Sequence, residues 1–146
     1  MVRKQIRPET GPKSVGPYSM GLLIDNTVYV SGQLPIDATS NLVAEDIVKQ
    51  TIQTIENMEH ILEASGLSLS DVVKTTVYLT DFEDFDKMNQ MYAIYFSYPY
   101  PARSCIEVSR LPKNAKISID CVAIAREDME FEEEEEDEAC EGCCCD

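Results

Sequence analysis

Residues 101–125, PARSCIEVSRLPKNAKISIDCVAIA, decide how the rest of this chain is arranged. Side chains of different character alternate on both sides of the segment LPKNAK at 111–116, and this period of two is typical of β-strands. Arg103 and Cys105 are expected on one face of the first strand, because successive side chains of a strand point to opposite faces. The stretch therefore predicts two strands joined by a turn that contains proline and lysine.

The second of these strands has one apolar face and one face that begins with polar residues. The apolar row consists of Ile117, Ile119, Cys121, Ala123 and Ala125. The opposite row begins with Ser118 and Asp120. If the two strands pair as an antiparallel hairpin, the guanidinium of Arg103 is expected, depending on the register, near a hydroxyl and a carboxylate of the second strand, such as those of Ser118 and Asp120.

Arg103 lies at the start of a strand, directly after Pro101 and Ala102. Its planar fork of N–H donors matches a carboxylate bidentately, so an arginine that is partly buried here indicates a carboxylate-binding site. The alternative is a surface arginine at the end of the sheet with Asp120 as its ion-pair partner, since most arginines stay at the surface. The residue type alone leaves both interpretations open.

The charge of the chain is unevenly distributed. The chain has 146 residues, which predicts one domain with one hydrophobic core. Residues 127–146 contain 12 of the 27 acidic residues and none of the 12 lysines and arginines, so residues 1–126 have a net charge of −3. We expect a folded domain at 1–126 followed by an acidic, disordered, cysteine-containing tail at 127–146. A nearly neutral body excludes the basic face of a general nucleic-acid binder, and the charge also argues against RNA cleavage.

The cysteines and the N-terminus predict a soluble, cytoplasmic protein. Four of the six cysteines crowd the last seven residues, unlike the spread framework of a disulfide-rich secreted domain. The segment MVRKQIRPETGPK lacks the apolar run of a signal peptide, and no stretch reaches the ~20 apolar residues of a membrane span. We expect no contact with a membrane.

The remaining elements predict an α+β fold. Asp81 is a candidate N-cap of the second helix, and the single histidine, His60, falls outside the apolar stripe of the first helix, where we expect it to be solvated. The expected elements before residue 101 are strands at about 4–7, 20–24, 28–31 and 71–80 and helices at about 46–65 and 82–97. This order predicts one mostly antiparallel mixed sheet with two helices packed on one face.

No cofactor or metal motif occurs in residues 1–126. There is no GxGxxG, no Walker loop, no HExxH and no Ser-His-Asp set that His60 could complete. Any chemistry then depends on Arg, Tyr, Ser, Asn and carboxylates, which can bind a small carboxylate and orient a water molecule. The expected cofactor is none, and no metal site is expected.

Five segments together resemble the Rid family, the reactive intermediate deaminases of the YjgF type. The segments are GPYSMG, VYVSGQLPID, DVVKTTVYLTDFEDF, MNQMYAIYF and PARSCIEVSRLPKNAKI, in one collinear register over about residues 14–126. The resemblance implies a chorismate-mutase-like fold and a homotrimer with clefts between subunits. For the arginine-bearing, RidA-like branch it also implies hydrolysis of small 2-imino acids, derived from 2-aminoacrylate, to 2-oxo acids and ammonia.

The resemblance also implies roles for individual residues. Arg103 is expected to bind the substrate carboxylate, and the main chain of Cys105 to hold the imine nitrogen or the attacking water. The other cleft positions that match the family's motifs are Tyr18, Ser31, Gly32 and Asn89. Cys105 is not expected to act as a nucleophile, because its position in a strand gives no sign of a low pKa.

The chain departs from the family pattern in its last strand. Family members often have two glutamates there, and the first is implicated in placing the catalytic water. Ser118 and Asp120 occupy these positions. Either Ser118 and Asp120 still support reduced catalysis, or the protein is a non-catalytic trimeric binder or sensor of 2-oxo and imino acids. A third hypothesis is a protein-interaction role for the acidic tail, whose CxxC at Cys140 and Cys143 is a weak metal-binding signal.

Overall fold

The computed structural model describes residues 1–127, so all of the predicted tail except Glu127 lies outside the described residues. The elements in chain order are β1 (Arg3–Ile6), β2 (Gly21–Ile24), β3 (Thr27–Gln33), α1 (Ile47–Ala64), β4 (Val72–Leu79), α2 (Phe85–Tyr95), β5 (Ala102–Glu107) and β6 (Ile117–Ile124). Neither helix of this described part is long and apolar enough to cross a membrane.

The six strands form one mixed sheet in the order β1-β2-β3-β6-β4-β5. Every neighbouring pair is antiparallel except β4 and β5, which are parallel. Helix α1 packs on β3, β6 and α2, and α2 contacts the same side of the sheet through the hydrogen bond between Tyr92 and Thr75. The prediction of an α+β fold with two helices on one face of a mostly antiparallel sheet is confirmed.

The conditional pairing of β5 with β6 as a hairpin is wrong, because β4 lies between them. Leu79 of β4 is the register partner of Glu107 on one side and of Ile117 on the other. The connection 108–116 crosses the end of β4, where the Val108 N–H donates to the Leu79 carbonyl at 2.8 Å. Alternation within a strand identifies the strand but not its neighbour.

Helix α1 begins and ends within one residue of its predicted limits. The carboxylate of Asp46 accepts a hydrogen bond from the Val48 N–H at 2.8 Å, which satisfies one of the free N–H groups of the first turn. The predicted core residues Ile55, Met58 and Leu62 are fully buried. Asp81 caps a short 3₁₀ turn at 82–84, and α2 follows it.

His60 is not the solvated residue that the sequence predicts. Its ring is half-buried, and its Nδ1 atom is buried without a hydrogen-bond partner in the described chain. Gly11 has a φ of +92°, and a Cβ atom added there would lie 3.4 Å from this nitrogen. The N-terminal segment therefore passes over His60, a tertiary contact that helical periodicity does not reveal.

The two faces of the sheet differ in what covers them. Val77, Leu79 and Ile119, which point to the helix-covered face, are completely buried. The other face, here called the open face, has no helix on it in the described chain. Three large apolar side chains remain exposed there: Tyr29 (50%), Ile106 (45%) and Ile124 (42%). An exposed apolar surface of this kind is typical of a protein interface.

Candidate functional site

Arg103 lies on the helix-covered face, at the edge of the sheet. It stands opposite Thr75 in the parallel pairing of β4 with β5, and its side chain turns toward α2. Its Nη1 donates to the Asn89 Oδ1 at 2.6 Å. The guanidinium carbon lies 4.8 Å from the ring centroid of Tyr92 and 5.7 Å from that of Phe85, both within cation–π distance. The arginine is thus held by one neutral acceptor and two aromatic rings.

The charge of Arg103 is not compensated within residues 1–127. No carboxylate of this described range forms an ion pair with it, and the pair that is present joins Arg126 to Asp71. The ion pair with Asp120 that the sequence left open does not form. Asp120 points to the open face, because it is adjacent to Cys121, which shares the helix-covered face with Thr75. A half-buried guanidinium without a carboxylate partner has the donors and the charge to bind an anion, which makes Arg103 the candidate anion-binding residue.

A cavity of about 650 Å³ lies beside the guanidinium of Arg103. Its remaining lining residues come from α2 and from the segment that leads into β5: Asn89, Gln90, Tyr92, Ala93, Tyr100 and Pro101. Apolar walls around a single cation strengthen the attraction of that cation for a carboxylate, because they exclude water from one side. The cavity is large enough for a small organic acid.

Cys105 shares the face of Arg103 two residues farther along β5, as predicted. Its thiol is half-buried. Burial raises the pKa of Cys105 above its ordinary value, and the nearby charge of Arg103 opposes this shift only in part. The thiol is therefore protonated at neutral pH, which disfavours a nucleophilic role.

Ser31, Gly32 and Ser118 come together on the open face, away from Arg103. A β-bulge between Val30 and Gln33 places Ser31 and Gly32 where β3 pairs with β6. A Cβ atom added at Gly32 would lie 3.1 Å from the Ser118 Oγ, so only glycine leaves this hydroxyl free of a neighbouring side chain. Ser118 itself is buried.

Tyr18 and Asp120 lie on the margins of this group. The Ser31 hydroxyl donates to the Ser19 carbonyl at 2.5 Å, which fixes the chain directly after Tyr18. Tyr18 itself is half-exposed. Asp120 lies beside Tyr78, and the negative charge of Asp120 raises the pKa of the Tyr78 phenol. Asp120 thus has the phenol hydroxyl of Tyr78 as a neighbour.

The structure divides the predicted site residues into two groups within one chain. Arg103, Asn89 and Cys105 form the group on the helix-covered face. The open-face group consists of Ser31, Gly32, Ser118 and Asp120, with Tyr18 next to it. The positions of Phe85, Tyr92 and Thr75 around the arginine were not predicted from the sequence, because the parallel pairing of β4 with β5 was not expected. Aromatic residues at helical spacing just before PARSC were the available signal.

Comparison with known proteins identifies the family. The family model described as Endoribonuclease L-PSP matches residues 8–125. A RutC family protein of Pyrococcus horikoshii is 49% identical over 123 residues, which cover 84% of this chain and 98% of the relative. The 2-iminobutanoate/2-iminopropanoate deaminase of Salmonella typhimurium is 44% identical over 126 residues, with the same coverage.

Solved structures agree with this assignment. The crystal structure of Escherichia coli TdcF with bound serine superposes with a TM-score of 0.80 at 37% identity and covers 84% of this chain and 99% of that one. The crystal structure of the YjgF gene product of Escherichia coli superposes equally well at 40% identity. The fold is the chorismate-mutase-like fold of these proteins. The chain therefore belongs to the Rid (YjgF) family.

Proposed function

We propose that this protein hydrolyses small 2-imino acids to 2-oxo acids and ammonia, and that Arg103 binds the substrate carboxylate. The observation that supports this most directly is the half-buried guanidinium that contacts Asn89 and two rings but no carboxylate of residues 1–127. A bidentate carboxylate would supply the missing counter-charge. Relatives of this chain are named 2-iminobutanoate/2-iminopropanoate deaminases, which supports the same substrate class.

The proposed reaction needs little more than orientation. Water adds to the imine carbon, a proton moves to nitrogen, and the carbon–nitrogen bond breaks to release ammonia and leave a carbonyl group. Imines of this kind react with water without an enzyme, so fixing the carboxylate and one water molecule lowers the barrier by reducing its entropic cost. Fixed hydrogen-bond donors then stabilise the charge that develops during addition. The proposed mechanism uses no cofactor.

We propose that the second half of the site comes from a neighbouring subunit of a homotrimer. Arg103 and Ser118 point to opposite faces of the sheet, so a single sheet does not direct both at one substrate. The apolar side chains Tyr29, Ile106 and Ile124 on the open face favour burial against another chain. In each cleft the open-face residues Ser31, Gly32 and Ser118 of one subunit would then face Arg103 of the next.

A second candidate is a trimeric binder or sensor of 2-oxo or imino acids that does not turn them over. Ser118 favours it, because this buried hydroxyl cannot act as a carboxylate base. Asp120 does not replace such a base within the described chain, since its neighbour is the phenol of Tyr78. Ligand binding without an increased rate of hydrolysis would distinguish this candidate from the deaminase.

A dehydratase-coupled assay tests the proposal. A pyridoxal-phosphate dehydratase generates the imino acid, and semicarbazide traps whatever is not hydrolysed. The wild-type protein is expected to lower the trapping rate, and Arg103→Ala to lose at least a hundredfold in kcat/KM because the carboxylate is no longer fixed. Arg110→Ala, which removes an exposed arginine from the loop after β5, is the matched control and should behave like the wild type.

Three outcomes of this assay separate the candidates. Unchanged trapping with measurable binding of 2-oxobutanoate selects the sensor. Unchanged trapping without binding rejects both candidates, and full activity of Arg103→Ala rejects the role of the arginine.

We further propose that residues 1–126 form the catalytic domain, since the family match ends at residue 125. A chain that ends at Arg126 should therefore keep its activity.

A further inference from the structure

Tyr92 occupies a position between the sheet and the guanidinium of Arg103. Its phenol hydroxyl is hydrogen-bonded to the Thr75 Oγ1 at 2.8 Å, and both residues are buried. Its ring lies 4.8 Å from the guanidinium carbon. The Tyr92 ring also stacks against the ring of Phe96, with 4.4 Å between the centroids and 28° between the planes. Hydroxyl and ring therefore have separate partners.

We propose that Tyr92 is a positioning residue, which fixes the plane of the Arg103 guanidinium so that its free N–H groups point into the cavity. This inference rests on the proposed function, because it concerns the same carboxylate site. It adds a residue that acts on the substrate through the arginine.

Asn89 and Tyr92 constrain the guanidinium in complementary ways. They are one turn apart on α2, and side chains three residues apart lie on the same helix face. The Asn89 Oδ1 holds one edge of the guanidinium through Nη1, while the Tyr92 ring lies over its carbon. One hydrogen bond alone permits rotation about its axis, and a ring contact alone permits sliding across the face. Together they fix the orientation that a bidentate contact requires.

The hydroxyl of Tyr92 ties this arrangement to the strand beside the arginine. Thr75 is the register partner of Arg103, so the ring is fastened to the strand pair that carries the guanidinium. Burial raises the pKa of Tyr92, although the Thr75 hydrogen bond and the Arg103 charge oppose the shift. The phenol is therefore neutral at working pH. It does not neutralise the arginine, whose positive charge stays available for the substrate.

Paired substitutions separate the ring from the hydroxyl. Tyr92→Leu removes the ring, Tyr92→Phe keeps the ring and removes the hydroxyl, and Thr75→Val breaks the hydroxyl contact from the other side. Tyr92→Leu is expected to raise KM and the Kd for 2-oxobutanoate by about tenfold, with a smaller change in kcat. Tyr92→Phe and Thr75→Val should raise the same constants by only about threefold, because the hydroxyl contact is lost while stacking on Phe96 still holds the ring.

Two controls distinguish a loss of protein stability from a displacement of the Arg103 guanidinium. Leu62→Ala removes a buried side chain from α1 and should lower the melting temperature without changing the Kd for 2-oxobutanoate. The ¹⁵Nε–¹Hε resonance of Arg103 reports the position of the guanidinium directly, because the ring current of Tyr92 shifts it. This shift should persist in Tyr92→Phe and disappear in Tyr92→Leu.

An unchanged KM and Kd in Tyr92→Leu, or a wild-type Arg103 resonance like that of a free arginine, would overturn the inference. An equal loss in Tyr92→Phe and Tyr92→Leu would also overturn it, since the ring would then have no role of its own. If the wild-type protein shows the resonance shift but neither turnover nor binding of 2-oxobutanoate, the proposed function is wrong. The inference that Tyr92 positions Arg103 would still hold.

Discussion

The two faces of the sheet differ in what the chain itself places on them in the region of β4, β5 and β6. On the helix-covered face, the chain itself encloses Arg103 between α2 and the sheet and leaves a cavity beside it. On the open face, Ser118 and Gly32 adjoin a surface with exposed apolar side chains and no helix within residues 1–127. The helix-covered face thus carries the cation of the candidate site, and the open face resembles an interface.

This difference shows how a sheet can divide a site into two halves. Residues that alternate along strands necessarily point to opposite sides, so the arginine and the Ser118 hydroxyl are separated by the sheet itself. A cyclic assembly brings such halves together, because each subunit presents one half to each neighbour. The faces can be tested separately for this reason.

The largest expected effect comes from disabling each face in turn. Arg103→Ala removes the cation of one face, and Gly32→Leu fills the space next to the Ser118 hydroxyl on the other. Each variant alone should lose at least a hundredfold in turnover. Co-expressed at equal levels, the two variants should regain about a quarter of the wild-type activity, because a random trimer forms that share of clefts from two intact halves.

This co-expression experiment distinguishes a site between subunits from a site within one chain. If Arg103 and Gly32 acted on the substrate within the same chain, mixing the variants would restore nothing. Size-exclusion chromatography with light scattering should show trimers for both variants and for the mixture. A monomeric wild-type protein would remove the basis of the proposed cleft.

An intermediate effect is expected from restoring a carboxylate on the open face. Ser118→Glu should raise the single-turnover rate of hydrolysis by about tenfold, because a carboxylate can orient and deprotonate water where a serine hydroxyl cannot. The measurement is ammonia release under single-turnover conditions, with Ser118→Gln as the control of equal size without charge. Equal rates in both variants would show that the absence of a carboxylate at residue 118 does not limit the reaction.

The smallest expected effect is on the pH dependence of the free energy of unfolding. It distinguishes the helix-covered face from the open face. Burial raises the pKa of Cys121, on the helix-covered face, from 9.0 to about 12. Between these values the folded chain keeps a proton that the unfolded chain has lost, so stability falls as the pH rises. Urea unfolding should show a loss on the order of 1 kcal/mol from this thiol by pH 10.

Cys121→Ala should flatten this alkaline decline, although its stability at neutral pH is lower because a buried sulfur is missing. The raised pKa values of Cys105 and Tyr92 act in the same direction, so part of the decline should remain. A decline that is identical in the variant would show that Cys121 ionises equally readily in both states. Ser118→Gln, on the open face, should leave the slope unchanged.

Much of the fold could be predicted from local patterns. The β2–β3 hairpin has its predicted turn at Asp25 and Asn26, and α1 begins within one residue of its predicted start. The placement of Arg103 and Cys105 on one face was also correct, because it follows from the period of a strand. The proximity of Arg103 to Ser118 was not, because it depended on a pairing of β5 with β6 that β4 prevents.

The amino-acid sequence by itself determined the strands, the helices, the residue types of the site and, through its motifs, the family. Period, caps and turn residues are local properties, and they are set by interactions within a few residues. Only the tertiary structure decided that β5 runs parallel to β4, that Tyr92 lies between Thr75 and Arg103, and that Ser118 faces the other way. Strand order depends on which buried surfaces fit together across the whole chain, and no short segment specifies that fit.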